Sequence, residues 1–150
     1  MKTGKLKRYF RYAILMAIGC YILAVTISIA MMSQMTKITY NATAWGRTLT
    51  EYIVDFKTNT AQVNYYDFDG NPWDHKENII SPIKEFRIKS VCSFSLFPLW
   101  RKNYENPFIM DGDQYNIVRS YKERENVIDG SSAYPLTYWF VLWAIHNAFK

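Results

Sequence analysis

Read along the chain, the apolar and polar positions form one unbroken block followed by short alternations. The block runs from Ala13 to Met32, AILMAIGCYILAVTISIAMM, with no charged residue. At 1.5 Å per residue a helix of that length spans about 30 Å, the hydrocarbon thickness of a bilayer. Beyond it the period changes. Ile38, Tyr40 and Ala42 alternate with polar neighbours, as in a strand buried on one face. Leu49 to Phe56 alternates again, and Thr50, Tyr52, Val54 and Phe56 make the better core-facing set. Ala61 to Phe68 carries Val63, Tyr65 and Tyr66, residue types favoured in sheets. The spacers between these segments are short enough for an antiparallel meander, which the cluster Asp67-Phe68-Asp69-Gly70-Asn71-Pro72 ends in a turn.

A helix follows. Ser81 and Pro82 fit an N-cap and an N1 proline, and Glu85 suits the first turn of a helix dipole. Ile83, Phe86, Ile88, Val91 and Leu96 offer its apolar side, and it ends before Pro98. After a turn at Asp111-Gly112, Tyr115, Ile117 and Arg119 alternate with Asn116, Val118 and Ser120. Val127 and Ile128 belong to a returning strand closed by Asp129-Gly130, where Gly130 is expected to supply a turn with positive φ. Pro135 is expected to open a last helix, Leu136–Phe149. The predicted order is β-β-β-α-β-β-α behind a membrane helix. This is an α+β domain with two helices on one face of a small antiparallel sheet. The expected divisions are a basic tail over 1–12, a transmembrane helix over 13–32, a linker over 33–37 and an outer domain over 38–150.

Charge fixes the expected orientation. Lys2, Lys5, Lys7, Arg8 and Arg11 precede the apolar block, and the next basic residue after it is Lys37. The positive-inside rule puts the tail in the cytoplasm and the rest outside, as a single-pass protein of the cell membrane. Those tail cations account for the whole formal charge of +5, so the outer part is formally neutral and nucleic acid is not an expected partner. The run is longer than the apolar core of a cleaved signal peptide, although Ser28 and Ala30 offer a small-residue cleavage pair. Ala17-Ile18-Gly19-Cys20 loosely resembles a lipoprotein box, but apolar sequence continues past the cysteine. Cys92 has no second outer cysteine to pair with and reads as an inert buried thiol. The outer domain is expected to fold without its anchor, from a start near Thr36.

Three segments carry a likeness. They are Trp100-Arg101-Lys102-Asn103-Tyr104, Asp111-Gly112-Asp113-Gln114-Tyr115 with the strand Asn116–Tyr121, and Gly130-Ser131-Ser132-Ala133-Tyr134-Pro135. Together they resemble a group of small, uncharacterised bacterial envelope proteins, in which an aromatic follows a DG turn and a G-x-x-A-Y-P turn opens the final helix. The resemblance implies the fold and a membrane-anchored or exported setting. It implies no activity and no functional residues.

Candidate chemistry is sparse. Asp67, Asp69, Asn71, Asp74 and Glu77 concentrate oxygen ligands, but their spacing departs from a calcium loop and fits ordinary turn chemistry. His75 and His146 lack partners at zinc-ligand spacing, and Ser131 and Ser132 lie in no nucleophile-elbow pattern. Asp111 and Asp113 are two apart in a turn, which does not establish carboxylates facing across a cleft. No metal or other cofactor is expected. The aromatic content is more telling, with all five tryptophans in the outer part. Trp139 and Trp143 share one face of the last helix, while Tyr138, Leu142, Ile145 and Phe149 share another. The second face can pack on the sheet, leaving the tryptophans to be covered by the Ile83–Leu96 helix, a partner or the membrane surface. Trp139, Trp143, Trp100 and Tyr104 are the candidate binding residues, with Gly130 and Pro135 as structural turn residues. The expected function is a non-catalytic, membrane-anchored binding or envelope-associated domain. It contacts the bilayer through residues 13–32 and has an unidentified membrane or envelope protein as a possible partner. The alternative is a small cell-surface hydrolase or metal-dependent enzyme using acidic turn residues.

Overall fold

The computed structural model describes residues 3–108 and 113–150, so the expected Asp111-Gly112 turn lies outside the described residues. The chain opens with helix α1 (Thr3–Gln34), followed by strands β1 (Met35–Ala44), β2 (Arg47–Asp55), β3 (Thr60–Tyr66) and β4 (Pro72–Ile79). Helix α2 (Pro82–Phe94) and a 3-10 turn (Phe97–Leu99) lead to β5 (Asn103–Glu105), β6 (Gln114–Tyr121), β7 (Glu125–Ser131) and helix α3 (Tyr138–Asn147). The strands form one sheet in the order β4-β3-β2-β1-β6-β7-β5.

The α+β class and the long apolar first helix stand, but the β-β-β-α-β-β-α pattern needs correction. Two strands are added, one at each edge. The sheet is mixed, because β5 runs parallel to β7 while the other neighbours are antiparallel. Both additions are edge strands, where charge and short length are the usual protection against unwanted pairing. In β4 the stretch Asp74-His75-Lys76-Glu77 is almost wholly solvated, so it carries no alternation to read. The segment expected as a linker is regular structure: residues 33–34 finish α1 and residues 35–37 begin β1.

Local chemistry explains the connections. Trp45 (φ 49°) and Gly46 (φ 76°) both take positive φ in the two-residue β1–β2 turn, the backbone that matches strand twist in a tight hairpin. The Asp67 carboxylate accepts the backbone N–H groups of Asp69 (2.9 Å) and Asn71 (2.8 Å), while Gly70 supplies φ 85°. Ser81 caps α2 as expected, its hydroxyl accepting the Lys84 N–H at 3.3 Å.

The core lies between the sheet and the helices. Ile38, Tyr40, Val54, Ala61, Tyr115, Ile117 and Ile128 point from the strands toward Ile88 and Cys92 of α2 and Tyr138, Val141, Ala144 and Ile145 of α3. The expected apolar side of α2 is corrected, since Ile83 and Phe86 are exposed and Ile88 and Cys92 form the buried stripe. Arg119 is buried and donates from Nη1 to the Phe97 carbonyl at 2.7 Å, tying the 3-10 turn to β6. The first helix belongs to this core in part. Val25, Ser28 and Met32, at intervals of one helical turn, are buried where α1 meets α2 and the 3-10 turn, whereas its described residues from Lys7 to Leu23 are exposed on all sides.

Candidate functional site

The two faces of the sheet differ sharply. One is covered by helices. On the other, cross-strand register aligns His75, Asn64, Glu51, Asn41, Asn116 and Asp129, one residue from each of six adjacent strands. At strand spacing this polar row extends about 24 Å. Its side chains bond along the row in two halves. Asn64 Nδ2 donates to Glu51 Oε2 at 2.8 Å, and His75 Nδ1 lies 2.6 Å from Asn64 Oδ1. On the other side Asn41 Nδ2 donates to Asn116 Oδ1 (3.4 Å), and Asn116 Nδ2 to Asp129 Oδ1 (2.7 Å).

The row breaks at its centre. Asn41 and Glu51 are register partners, yet Asn41 Oδ1 is buried without a hydrogen-bond partner among the described residues. An unmet buried carbonyl costs about 1–3 kcal/mol, so the row is least well bonded at this point. A cleft opens there, lined by Asn41, Arg47, Thr48, Glu51, Tyr66 and Asp69. Tyr66 donates its hydroxyl to Glu51 Oε2 at 3.1 Å. Its phenol pKa is raised, first by burial and then by the Glu51 carboxylate. Arg47 donates from its guanidinium to the Phe68 carbonyl, and in the adjoining turns Trp45 stands 6.3 Å from Phe68, both exposed. Donors, acceptors and flat apolar rings thus border one shallow surface.

The residues singled out from sequence scatter. Trp100 is buried (8% exposed), its indole N–H donating to the Ser95 carbonyl at 3.2 Å. It packs edge-on against Phe97 at 5.1 Å as part of the core. Tyr104 is half-buried in β5, and its hydroxyl accepts the Arg101 N–H at 3.0 Å. Trp139 and Trp143 do share an open face of α3, at 65% and 57% exposure, with Lys84 and Arg87 of α2 beside Trp143. The structure does not bring these four residues into one site.

Gly130 and Pro135 hold different posts from those expected. Gly130 lies inside β7 opposite Tyr115, without positive φ. A Cβ there would sit 2.0 Å from Tyr115 Cζ, so the glycine makes room for a ring rather than for a turn. Pro135 precedes α3 instead of starting it: its carbonyl accepts the Tyr138 N–H at 2.9 Å, and Thr137 occupies the cap position.

Among the described residues, no nucleophile–base pair is assembled from the candidate groups. Ser131 pairs with Gln114 in the ladder, whereas His146 lies tilted against the Tyr52 ring at 4.7 Å. Among the described residues no group of three or more His, Cys, Asp or Glu side chains is placed to hold a metal ion. Burial pushes the Cys92 thiol up to about 12, which keeps it protonated. Tyr40 and Tyr138 share a buried hydroxyl contact of 2.7 Å, and burial raises the pKa of both.

The polar row was not legible from sequence because its members lie in six strands and only the register unites them. The available signal was a polar Asn or Glu in the middle of otherwise alternating segments, at Asn41, Glu51, Asn64 and Asn116. No family model matches the chain, and no curated protein matches it. What is established is a globular α+β domain behind one N-terminal helix that is apolar and long enough to span a membrane or serve as a signal sequence.

Proposed function

We propose that the chain is a single-pass, membrane-anchored extracytoplasmic protein that binds and does not catalyse. Its ligand surface is the open face of the sheet, and its ligand is an extended, hydroxyl-rich chain of the polysaccharide class. The main support is the polar row and the cleft at its centre, where Glu51, Tyr66 and Arg47 present acceptors and donors. A ligand hydroxyl is both donor and acceptor, so it donates to the Glu51 carboxylate and still accepts from a guanidinium or phenol. The exposed ring of Trp45 in the adjoining turn offers the flat apolar surface that a sugar ring's C–H face packs against. A row of side chains at strand spacing suits a long ligand better than a small one, which would require a deep concave pocket.

Anchoring is supported by α1 itself. The span Lys7–Gln34 has a mean hydropathy of 2.4 in its most apolar window. Burial of Val25, Ser28 and Met32 in the outer domain favours retention of the helix over its removal. The tail cations favour a cytoplasmic N-terminus. Co-sedimentation of the detergent-solubilised full chain with insoluble peptidoglycan tests the binding. Retention that soluble glycan fragments compete away, and that sodium chloride does not, is expected. Absence of retention, or retention abolished by salt alone, contradicts the reading.

A further inference from the structure

The hydroxyl of Tyr21 donates to the carbonyl of Phe94 at 2.9 Å. This bond fixes how far down α1 the outer domain reaches. If the cations at Lys7 to Arg11 mark the cytoplasmic boundary, about 20 residues of helix reach the opposite boundary between Ile27 and Met31. Tyr21 then lies about 9–15 Å inside the hydrocarbon, and helix tilt only deepens it. The C-terminal end of α2 is therefore within the bilayer as well.

The composition of that end agrees. From Ser90 to Trp100 and from Ser131 to Ile145 the chain has no charged residue. The Thr137 hydroxyl donates to the Ser95 carbonyl at 2.7 Å, which sets the start of α3 beside the end of α2. Around this junction Phe94, Leu99, Leu136 and Phe140 are exposed, Leu136 at 98%. At the opposite end of the same helical layer, Lys84, Arg87 and Lys150 surround Trp143. The layer is thus polarised, bare and apolar beside Tyr21 and cationic about 15 Å away along α2.

We propose that the end of the domain formed by α2, the 3-10 turn and α3 is set into the outer leaflet. Phe94, Leu99, Leu136 and Phe140 contact acyl chains of phospholipids. Trp139 and Trp143 lie at headgroup level, where indoles are favoured, and Lys84, Arg87 and Lys150 face the phosphates. The occupant of this face is lipid, because the face is continuous with the lipid-exposed side of α1 through the Tyr21–Phe94 bond. The domain then sits in the membrane surface rather than swinging above it, with the polar face of the sheet left free. This inference rests on α1 spanning the bilayer as proposed above.

Depth-resolved quenching in the full chain tests it. Cys20→Ser removes the accessible native thiol, and Cys92 is fully buried and stays. Single cysteines replacing Met16 in α1, Leu136, Phe140 and the exposed Trp45 are labelled with an environment-sensitive fluorophore. The protein is reconstituted in phosphatidylcholine–phosphatidylglycerol vesicles containing lipid with a nitroxide on the acyl chain. The expected result is a loss of emission at positions 136 and 140 comparable with that at 16, and none at 45. If position 16 is quenched while 136 and 140 behave like 45, the leaflet seating is wrong and the anchor stands. If 136 and 140 are shielded from both the nitroxide lipid and aqueous iodide, a protein surface covers them and the lipid assignment is overturned. If position 16 itself is not quenched, the spanning helix and the seating fall together.

Discussion

The two faces of the sheet come from the same strands, read on alternate residues, and they are built on opposite terms. Toward the helices, Ile38, Val54, Ala61, Ile117 and Ile128 are almost wholly removed from water. Burial of that kind contributes about 25 cal/mol per Å² of apolar surface. Toward the open side, Asn41, Glu51, Asn64 and Asn116 are half-buried and bonded to one another. Side-chain bonds that water can replace contribute about 1 kcal/mol or less each. The fold is therefore held from one face, and the other can carry polar groups with one acceptor left unmet. A strand with one residue parity committed to packing leaves the other parity open to function.

The helical side is most vulnerable where α1 joins the core. A chain starting near Thr36 lacks Val25, Ser28, Met32 and Met35, all buried on the helical side. The regular strand and helix signals beyond Thr36 predict a domain that folds alone. The structure gives the opposite expectation: loss of several large buried side chains at about 2–5 kcal/mol each, and a broad melt with weak near-ultraviolet dichroism. A cooperative transition matching that of the full chain would show that α1 is dispensable to the core.

Gly130 sharpens the same side. Gly130→Val drives a side chain into the Tyr115 ring and is expected to destabilise by about 3 kcal/mol or more in chemical denaturation. Adding Tyr115→Ala is expected to cost less than the two separate changes together, because the clash is shared. Full additivity would deny the contact. By contrast, Trp139→Ser with Trp143→Ser removes two exposed indoles, and the stability change is expected to stay within about 1 kcal/mol. A loss of several kcal/mol would mean that this face is packed.

The smallest effect concerns protons. Burial first, and Lys150 second, hold the His146 imidazole below its ordinary 6.5. As pH falls the unfolded chain therefore takes up its proton first. Stability is expected to decline as pH drops through 6.5 and on to the folded value, and to be insensitive to this group above 6.5. His146→Phe, which keeps a ring against Tyr52, should flatten that decline between pH 5 and 7 in thermal melts.

What could be read from the chain followed periodicity. The long apolar helix, the first three strands, the Ser81 cap and the two alternating strands before the last helix all carry local signals. The edge strand β4 does not, because Asp74-His75-Lys76-Glu77 faces water on both sides. Asp129-Gly130 carries the local signal of a turn, whereas the constraint on Gly130 is a tyrosine ring from the neighbouring strand. The tryptophans of α3 were readable as one face, but whether α2 covers it is a matter of how two helices cross. The polar row depended on register across six strands, which no local pattern contains.

Glu51→Ala tests the proposed ligand face most directly, read on one purified full-length preparation for melting temperature and for co-sedimentation with insoluble peptidoglycan. Asn64 and Tyr66, left without their acceptor, are only half-buried and can turn to water. The expected result is a melting temperature close to that of the unsubstituted chain, with retention weakened about tenfold, equivalent to about 1.4 kcal/mol. Retention unchanged in the folded variant would contradict a ligand site on the open face of the sheet.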